Sequence, residues 1–353
     1  MSRGIKEVAT LAGVSISTVS RVINGSKPVR DEVRRRVLAA VKKVGYVPNH
    51  TAQSMVSGRT MTVGIVVPSG ASSFNSLVLA GIRSRLVQEG YQSLVCEIEN
   101  PISTESEVRY LDILSRGITD GIILTHEAQS SRIRDTIKRV TVPIVVASVK
   151  IEGLRLRSIG IDDRAAARDA TDYLLSLGHT RIGLIGGGKQ VSGGLHRTEG
   201  YREAFERRGL RCDPLWVVPG WFSFESGYRA ARQLLRNDPT ITAIFCVSDD
   251  MAVGAIRYLK DEGRRVPEDI SVMGFDDVAL AAYADPPLTT VRQPIREIGT
   301  GAAELLLRVL RGEAKVPKHT ILGHEIVVRS SCGLLRTRTG RHSSKTHRPL
   351  TVT

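Results

Sequence analysis

The stretch Ser15-Ile16-Ser17-Thr18-Val19-Ser20-Arg21 sets four small hydroxyls beside one guanidinium. Serine and threonine compete with the backbone for hydrogen bonds and are modest helix formers, so a helix built from them has a use other than packing. Short hydroxyls let a helix lie close against another surface. Ser15, Thr18 and Ser20 are spaced to donate to phosphate oxygens, and Ile16, Ser17 and Arg21 to reach base edges in a major groove.

A second set of polar residues lies at the ends of apolar runs: Ser69, Ser72 to Phe74, Thr125, Ser148, Asp162, Ser248 with Asp249, and Asp276. Open parallel sheets bind ligands outside the carboxyl ends of their strands, so these are candidate ligand contacts.

Catalytic alternatives fare worse. The segment GLIGGGKQ, Gly183 to Gln190, approaches a P-loop, but Gln190 fills the place of the magnesium-holding hydroxyl, and Gly183 lies inside a strand pattern. Each of the acidic pairs Asp162/Asp163, Asp249/Asp250 and Asp276/Asp277 follows a strand and precedes a helix. Capping is the expected role for at least one member of each. His179 and His196 have no Cys or Glu at metal-ligand spacing, and His179 reads as turn chemistry. No nucleophile, base and acid come together, so the sequence indicates no enzyme, no metal and no cofactor.

The elements that must position these residues follow from periodicity. In IKEVATLAGVS, Ile5, Val8, Ala9 and Ala12 share a helical face, Gly13 stops the helix, and Ser15 caps the next one. That second helix, about Ile16 to Asn24, buries Val19, Val22 and Ile23. A third, DEVRRRVLAAVKKV, has Asp31 and Glu32 at its positive end and Lys42 and Lys43 at its negative end. Two helices joined by a short turn, with a third packed on them, form a helix-turn-helix. From Thr62 onward apolar runs (TVGIVVP, YQSLVCEI, DGIILT, PIVVAS, RIGLIGG, TAIFCVSD, ISVMGFDD) alternate with helical stretches. That alternation implies parallel sheets covered by helices on both faces. The strands are too many for one sheet, so two lobes are expected. The first runs from about 61 to 160, the second begins near IGIDDRAAARDA, and LTTVRQPIREIG returns to the first.

Composition agrees. The 353 residues exceed one ordinary core, and 41% are hydrophobic. Residues 1–60 hold 11 Lys/Arg against 3 Asp/Glu, a net of +8, and residues 331–353 carry +5. The total of +14 leaves only +1 for the body. A basic amino-terminal module is the electrostatic footprint of duplex DNA binding. The basic tail reads as a solvated, disordered end, and it has no leucine heptad for a tail-mediated tetramer. Met-Ser-Arg-Gly is not followed by the apolar region of a signal peptide. Cys96, Cys212, Cys246 and Cys332 form no Cys-x-x-Cys pair, which fits a reducing cytoplasm.

The segments IKEVATLAGVSISTVSRVINGSKPV and GYVPNHTAQSMVSGRT resemble the DNA-binding headpiece and hinge of the lactose-repressor (LacI/GalR) family of bacterial regulators, and the likeness continues to about residue 333. It implies an α/β protein: an all-α helix-turn-helix headpiece over 1–48, a hinge over 49–60, and a two-lobed, periplasmic-binding-protein-like body of doubly wound parallel sheets over 61–330. A basic tail over 331–353 follows. The hinge HTAQSMVSG would fold on the operator and push an apolar side chain into the minor groove; Ala52 and Met55 are i, i+3 neighbours suited to this. Asn24, Asn49 and His50 complete the implied DNA contacts.

By the same likeness Arg197 contacts an effector, Phe222 covers it, Asp276 binds its hydroxyls and Gln293 adds a polar contact. Ser72, Phe74, Thr125, Ser148 and Ser248 line the cleft with them. A guanidinium, carboxylates and an aromatic face suit a sugar or nucleoside. This chain departs from the family at Met55 (commonly Leu), at Gly4 (commonly a hydroxyl cap), at Ser148 (often Asp), at Ser248 (often Asn) and in SGASSFNS (commonly Asn-Pro-Phe-Phe). The expected protein is a cytoplasmic homodimeric repressor on a pseudo-palindromic operator, controlled by a small polar effector. Its rivals are a solute-binding protein without its leader and a sugar-processing enzyme with an added DNA module.

Overall fold

The computed structural model describes residues 4–24, 28–46, 58–68, 72–99, 103–126, 130–148, 151, 153–187 and 192–335. The first module is three helices: α1 (Ile5–Ala12), α2 (Ile16–Asn24) and α3 (Asp31–Val44). Val8, Ala9, Ala12, Val19, Val22, Val37, Ala40 and Val44 are buried together, with Ile5, Val14, Ile23, Val33 and Val41 half-buried around them. Gly4 offers α1 no side-chain cap. The Thr18 amide donates to Ser15 Oγ at 3.2 Å, so Ser15 caps α2.

Two six-stranded sheets follow. In lobe 1 the order is β2 (Gln92–Ile98), β1 (Thr62–Pro68), β3 (Gly121–Leu124), β4 (Ile144–Ala147), β5 (Arg157–Ile161) and β11 (His319–Leu322), all parallel. Its helices are α4 (Ser73–Gln88), α5 (Thr104–Ser115), α6 (Ser131–Arg139) and α12 (Ile295–Leu310). In lobe 2 the order is β7 (Val217–Pro219), β6 (Ile182–Gly186), β8 (Ala243–Cys246), β9 (Ser271–Asp276), β10 (Thr289–Arg292) and β12 (Glu325–Val327), the last antiparallel to β10. Here the helices are α7 (Asp163–Ser176), α8 (Ser192–Arg207), α9 (Phe224–Asn237), α10 (Asp249–Asp261) and α11 (Ala279–Tyr283). The central strands β3, β4 and β8 are buried at every position because helices cover both sheet faces.

The chain passes between the lobes three times, at Asp162, at Gln293–Pro294 and at Gly323–His324. The first two crossings match the sequence pattern; the third comes after β11. Chain crossings gathered at one boundary are the kind of connection that serves as a hinge in two-lobed proteins. Disorder expected from residue 331 is not found over residues 331–335. Ser331 is buried, its hydroxyl donating to Val272 O at 2.6 Å and accepting from Thr289 N at 2.8 Å, and Leu335 N donates to Leu177 O at 2.9 Å. Polar satisfaction inside lobe 2 thus holds residues 331–335 in place, and the rest of the tail lies outside the described residues.

Candidate functional sites

On α2 the side chains of Ser15, Ile16, Ser17 and Arg21 are exposed, and those of Thr18 and Ser20 half-buried. Ile16, an apolar residue, is 43% exposed although its module has a core to receive it. The Ser15 hydroxyl lies 2.8 Å from Ser17 Oγ and 2.9 Å from Thr18 Oγ1, so these hydroxyls form one cluster at the helix start. The positive end of the α2 dipole and this cluster together favour an anion. Asn24 ends α2. Asn49, His50, Ala52 and Met55 lie outside the described residues, as do Ser69 and residues 188–191 of the P-loop-like segment. Gly183 sits inside β6, where a Cβ would lie 3.0 Å from Leu234 Cδ1, so its reason is packing.

The second site lies at the strand ends where the lobes meet. Arg197, on α8, is buried; its Nε donates to Asp163 Oδ1 at 2.8 Å and its Nη1 to Val247 O at 2.6 Å. Nη1 is also 3.7 Å from Asp276 Oδ1, and the guanidinium carbon stands 3.7 Å over the Phe275 ring. These contacts fix the fork before any ligand arrives, and the ring face adds cation–π attraction. Asp276 accepts from Gln293 Nε2 at 2.6 Å. Gln293 thereby orients the carboxylate as well as lying beside it. Burial pushes the Asp276 carboxyl well above the carboxylate range, opposed by the Arg197 charge. Asp249 accepts from the Val278 amide at 2.9 Å and from the Thr290 hydroxyl at 2.5 Å, and burial lifts it to about 6.

Backbone geometry marks the same places. Ser148, Phe222, Asp276 and Asp277 have φ of 73°, 55°, 124° and 57°, conformations that L residues rarely adopt. Strained non-glycine residues persist where the surroundings over-determine them, and they gather at ligand sites. The Phe222 ring lies against Gly187, where a Cβ would be 2.5 Å from Cζ; only glycine admits the ring there.

The remaining candidates are placed as follows. Phe74 is half-buried against the core, and Ser72 begins α4 without a side-chain cap. Thr125 is buried at the end of β3. The Ser248 hydroxyl accepts from Met251 N at 3.3 Å and so caps α10.

The capping role expected of the acidic pairs holds at Asp162, which accepts from Ala165 N at 2.9 Å, and fails at the others. Ser248 has taken the cap of α10, freeing Asp249 for Thr290 and Val278 and Asp250 for Ser73. Val278 precedes α11 with no side-chain cap, and Asp277 pairs instead with Arg292 at 2.6 Å and Arg329 at 2.7 Å. His179 is a buried bridge as well as a turn residue. Its Nδ1 lies 3.0 Å from Thr242 Oγ1 and its Nε2 3.0 Å from Gly333 O, and burial lowers its pKa. Sequence reasoning missed Asp163, Asp250 and Thr290; the doubled acids were the available signal, read as caps. Among the described residues no group of three His, Cys, Asp or Glu could hold a metal ion, and no helix is long and apolar enough to cross a membrane.

A helix-turn-helix module on a hinged two-lobed body, with buried polar groups at the lobe boundary, is the build of a ligand-responsive DNA-binding protein. Residues 4–49 match the model of bacterial regulatory proteins of the lacI family, and residues 171–332 a periplasmic binding protein-like domain. The HTH-type transcriptional regulator CelR of Thermobifida fusca is 35% identical over 93% of this chain and 97% of its own. The HTH-type transcriptional repressor CytR of Escherichia coli (strain K12) is 35% identical over 93% and 95%. Among solved structures, the lac repressor dimer bound to operator and an anti-inducer superposes with a TM-score of 0.85 at 29% identity, covering 94% of this chain and 99% of that one. A CelR–cellobiose complex superposes at 0.71 with 34% identity, over 93% and 99%. The chain belongs to the LacI family of bacterial regulatory proteins.

Proposed function

We propose that this protein is a cytoplasmic, homodimeric transcriptional repressor whose grip on a pseudo-palindromic operator is set by a small polyhydroxylated effector held between the lobes. In this reading residues 1–48 are the headpiece, 49–60 the hinge and 61–335 the effector-binding and dimerisation body. Ser15, Ile16, Ser17, Thr18, Ser20, Arg21 and Asn24 meet the major groove, and Asn49, His50, Ala52 and Met55 the centre of the operator. Arg197, Asp276, Gln293 and Phe222 hold the effector, helped by Ser72, Phe74, Thr125, Ser148 and Ser248.

The observation that carries the reading is the buried Arg197–Asp276–Gln293 group, joined through one chain to a basic helix-turn-helix module. Asp163, Asp249, Asp250 and Asp276 are all buried, and among the described residues Arg197, which pairs with Asp163 and Asp276, is the one buried guanidinium. Buried acids that outnumber buried cations disfavour a phosphorylated ligand and so favour a neutral one. Solved relatives are in keeping with this: one is a cellobiose complex and another holds bound ribose. The doubled acids are occupied in hydrogen bonds and caps, which supports a role without catalysis.

The test is selection of duplexes from a random pool by the full-length chain, followed by thermal-shift screening of that chain with cellobiose, ribose, nucleosides and sugar phosphates. A salt-dependent preference for a palindromic site, with a neutral sugar or nucleoside raising the melting temperature, is expected. Ligand binding with no sequence preference on DNA would instead favour a solute-binding protein or a sugar enzyme.

A further inference from the structure

Ligand at the lobe boundary must act on DNA at the far end of lobe 1, where the linker enters β1. The sixteen residues of α4 alone span about 24 Å at 1.5 Å per residue. Two helices cover this distance side by side, and both begin at the boundary on carboxylates of lobe 2. At the start of α4, Ser73 N and Oγ donate to Asp250 Oδ2 and Oδ1 at 3.3 and 3.1 Å. Immediately before α12, Gln293 donates to Asp276.

Midway the two helices touch backbone to backbone. A Cβ at Gly81 would lie 2.4 Å from Arg296 O, and one at Gly299 would lie 2.2 Å from Val78 O. At this point the two backbones are in direct contact, and buried side chains of both helices join one core around it, so the pair packs as one body. At their far ends Arg85 bonds Glu304 (2.8 Å) and Glu89 (2.7 Å), and Arg311 bonds Glu89 at 2.5 Å.

The linker is fastened to that same end. Arg59 Nη2 donates to Leu310 O, in the last turn of α12, at 3.2 Å. Asp120, just ahead of β3, accepts from Thr60 N at 2.6 Å, Thr60 Oγ1 at 2.8 Å and Met61 N at 3.0 Å. Met61 has φ of 51°, so this carboxylate holds a strained turn at the point where the linker becomes β1.

We propose that α4 and α12 act as one lever, moved at the lobe boundary through Asp250 and Asp276 and read at the linker through Arg59 and Asp120, which are positioning residues for the DNA-binding module. The lever rests on the proposed effector cleft only for what moves it; its far end can be tested without an effector. A cleft substitution, Asp250→Asn, supplies the displacement in its place.

The experiment is a double-mutant cycle on the full-length chain, reading affinity for one duplex selected by the wild type. Asp250→Asn should change that affinity by at least about fivefold, the low end of ordinary coupling between sites. In an Arg59→Ala background the same substitution should change it less than twofold. Asp120→Asn is the second background, chosen because it leaves every cationic side chain in place. The slope of affinity against salt separates leverage from contact: if Arg59 merely touched a phosphate, its loss would reduce the slope by about one. Equal effects of Asp250→Asn in all backgrounds, no effect in the wild type, or a reduced slope in Arg59→Ala each overturn the lever. Failure of the wild-type chain to select any duplex would overturn the functional reading itself.

Discussion

Ser73 and Asp250 join the lobes. The Asp250 carboxylate leaves the first turn of α10 in lobe 2 and receives both the amide and the hydroxyl of Ser73 at the start of α4 in lobe 1. Two helix amino-termini therefore share one negative charge, which suits both dipoles. Serine at position 73 thus places a short donor within reach of an acid. Asp250→Ala should loosen the lobes, because it removes two hydrogen bonds to a charged acceptor. Each is worth about 1.5–3 kcal/mol when intact. A larger radius of gyration in small-angle scattering, and a lower melting temperature, are the expected changes. An unchanged scattering profile would mean that the lobes are held by packing alone.

Arg197 is buried with Asp163 at 2.8 Å and Asp276 at 3.7 Å. Removing a buried cation strands the acids it faces, which costs about 3–5 kcal/mol. Arg197→Ala should therefore melt earlier and lose the thermal shift produced by whichever sugar or nucleoside stabilises the wild type. Arg197→Lys preserves charge but cannot reach Asp163 and Val247 O together, so it should recover stability more than ligand response. If either variant still shows the full ligand shift, the cleft assignment is wrong.

The elements most readable in the sequence were those whose burial leaves a periodic trace. The helices over Ile16–Asn24 and Asp31–Val44 appear at the expected bounds, since valines at helical spacing and charged ends leave little choice. The strands Gly121–Leu124 and Ile144–Ala147 show as apolar runs because both their faces are covered. By contrast β11 and β12, with half-exposed patterns and three or four residues each, carry no such trace, and so the third crossing went unseen. The site was legible as a set of residue types, but not as a network. That Ser248 caps α10, and so releases Asp249 and Asp250 for other partners, depends on which of three adjacent polar residues takes the cap. Periodicity does not decide that.

Asp249 should make lobe 2 sensitive to mild acid in an unusual direction. Burial raises its carboxyl from 3.8 to about 6 against the pull of Thr290 and Val278, with Asp277 and Asp250 adding repulsion. An unfolded chain gives up this proton near pH 4 and the folded chain near pH 6. Between those values the folded state binds more protons, so this group's stability contribution is complete below about pH 4 and falls as pH rises through 6. The whole effect is at most about 3 kcal/mol. Asp249→Asn keeps an acceptor oxygen for the Val278 amide and should flatten the dependence. Urea midpoints measured from pH 4 to pH 7 for both chains decide the matter; parallel curves would show that Asp249 does not titrate in this window. His179, whose pKa burial lowers, contributes with the opposite sign, losing stability as pH falls through its folded value, and is common to both chains.

Arg21 carries the sharpest prediction about sequence reading. It is exposed in the last turn of α2, one residue past Ser20 and on the same outer side as Ser17. If its guanidinium reads a base edge, Arg21→Ala should weaken binding to a selected duplex by about 1–3 kcal/mol while relaxing preference at one position in each half-site. A phosphate contact behaves differently: its loss weakens all duplexes alike and lowers the salt slope by about one. Repeating the duplex selection with the variant, and measuring both affinities at two salt concentrations, separates the two. Uniform weakening with an unaltered consensus would move Arg21 from reading bases to gripping the backbone, leaving Ile16 and Ser17 as the base-reading side chains of α2.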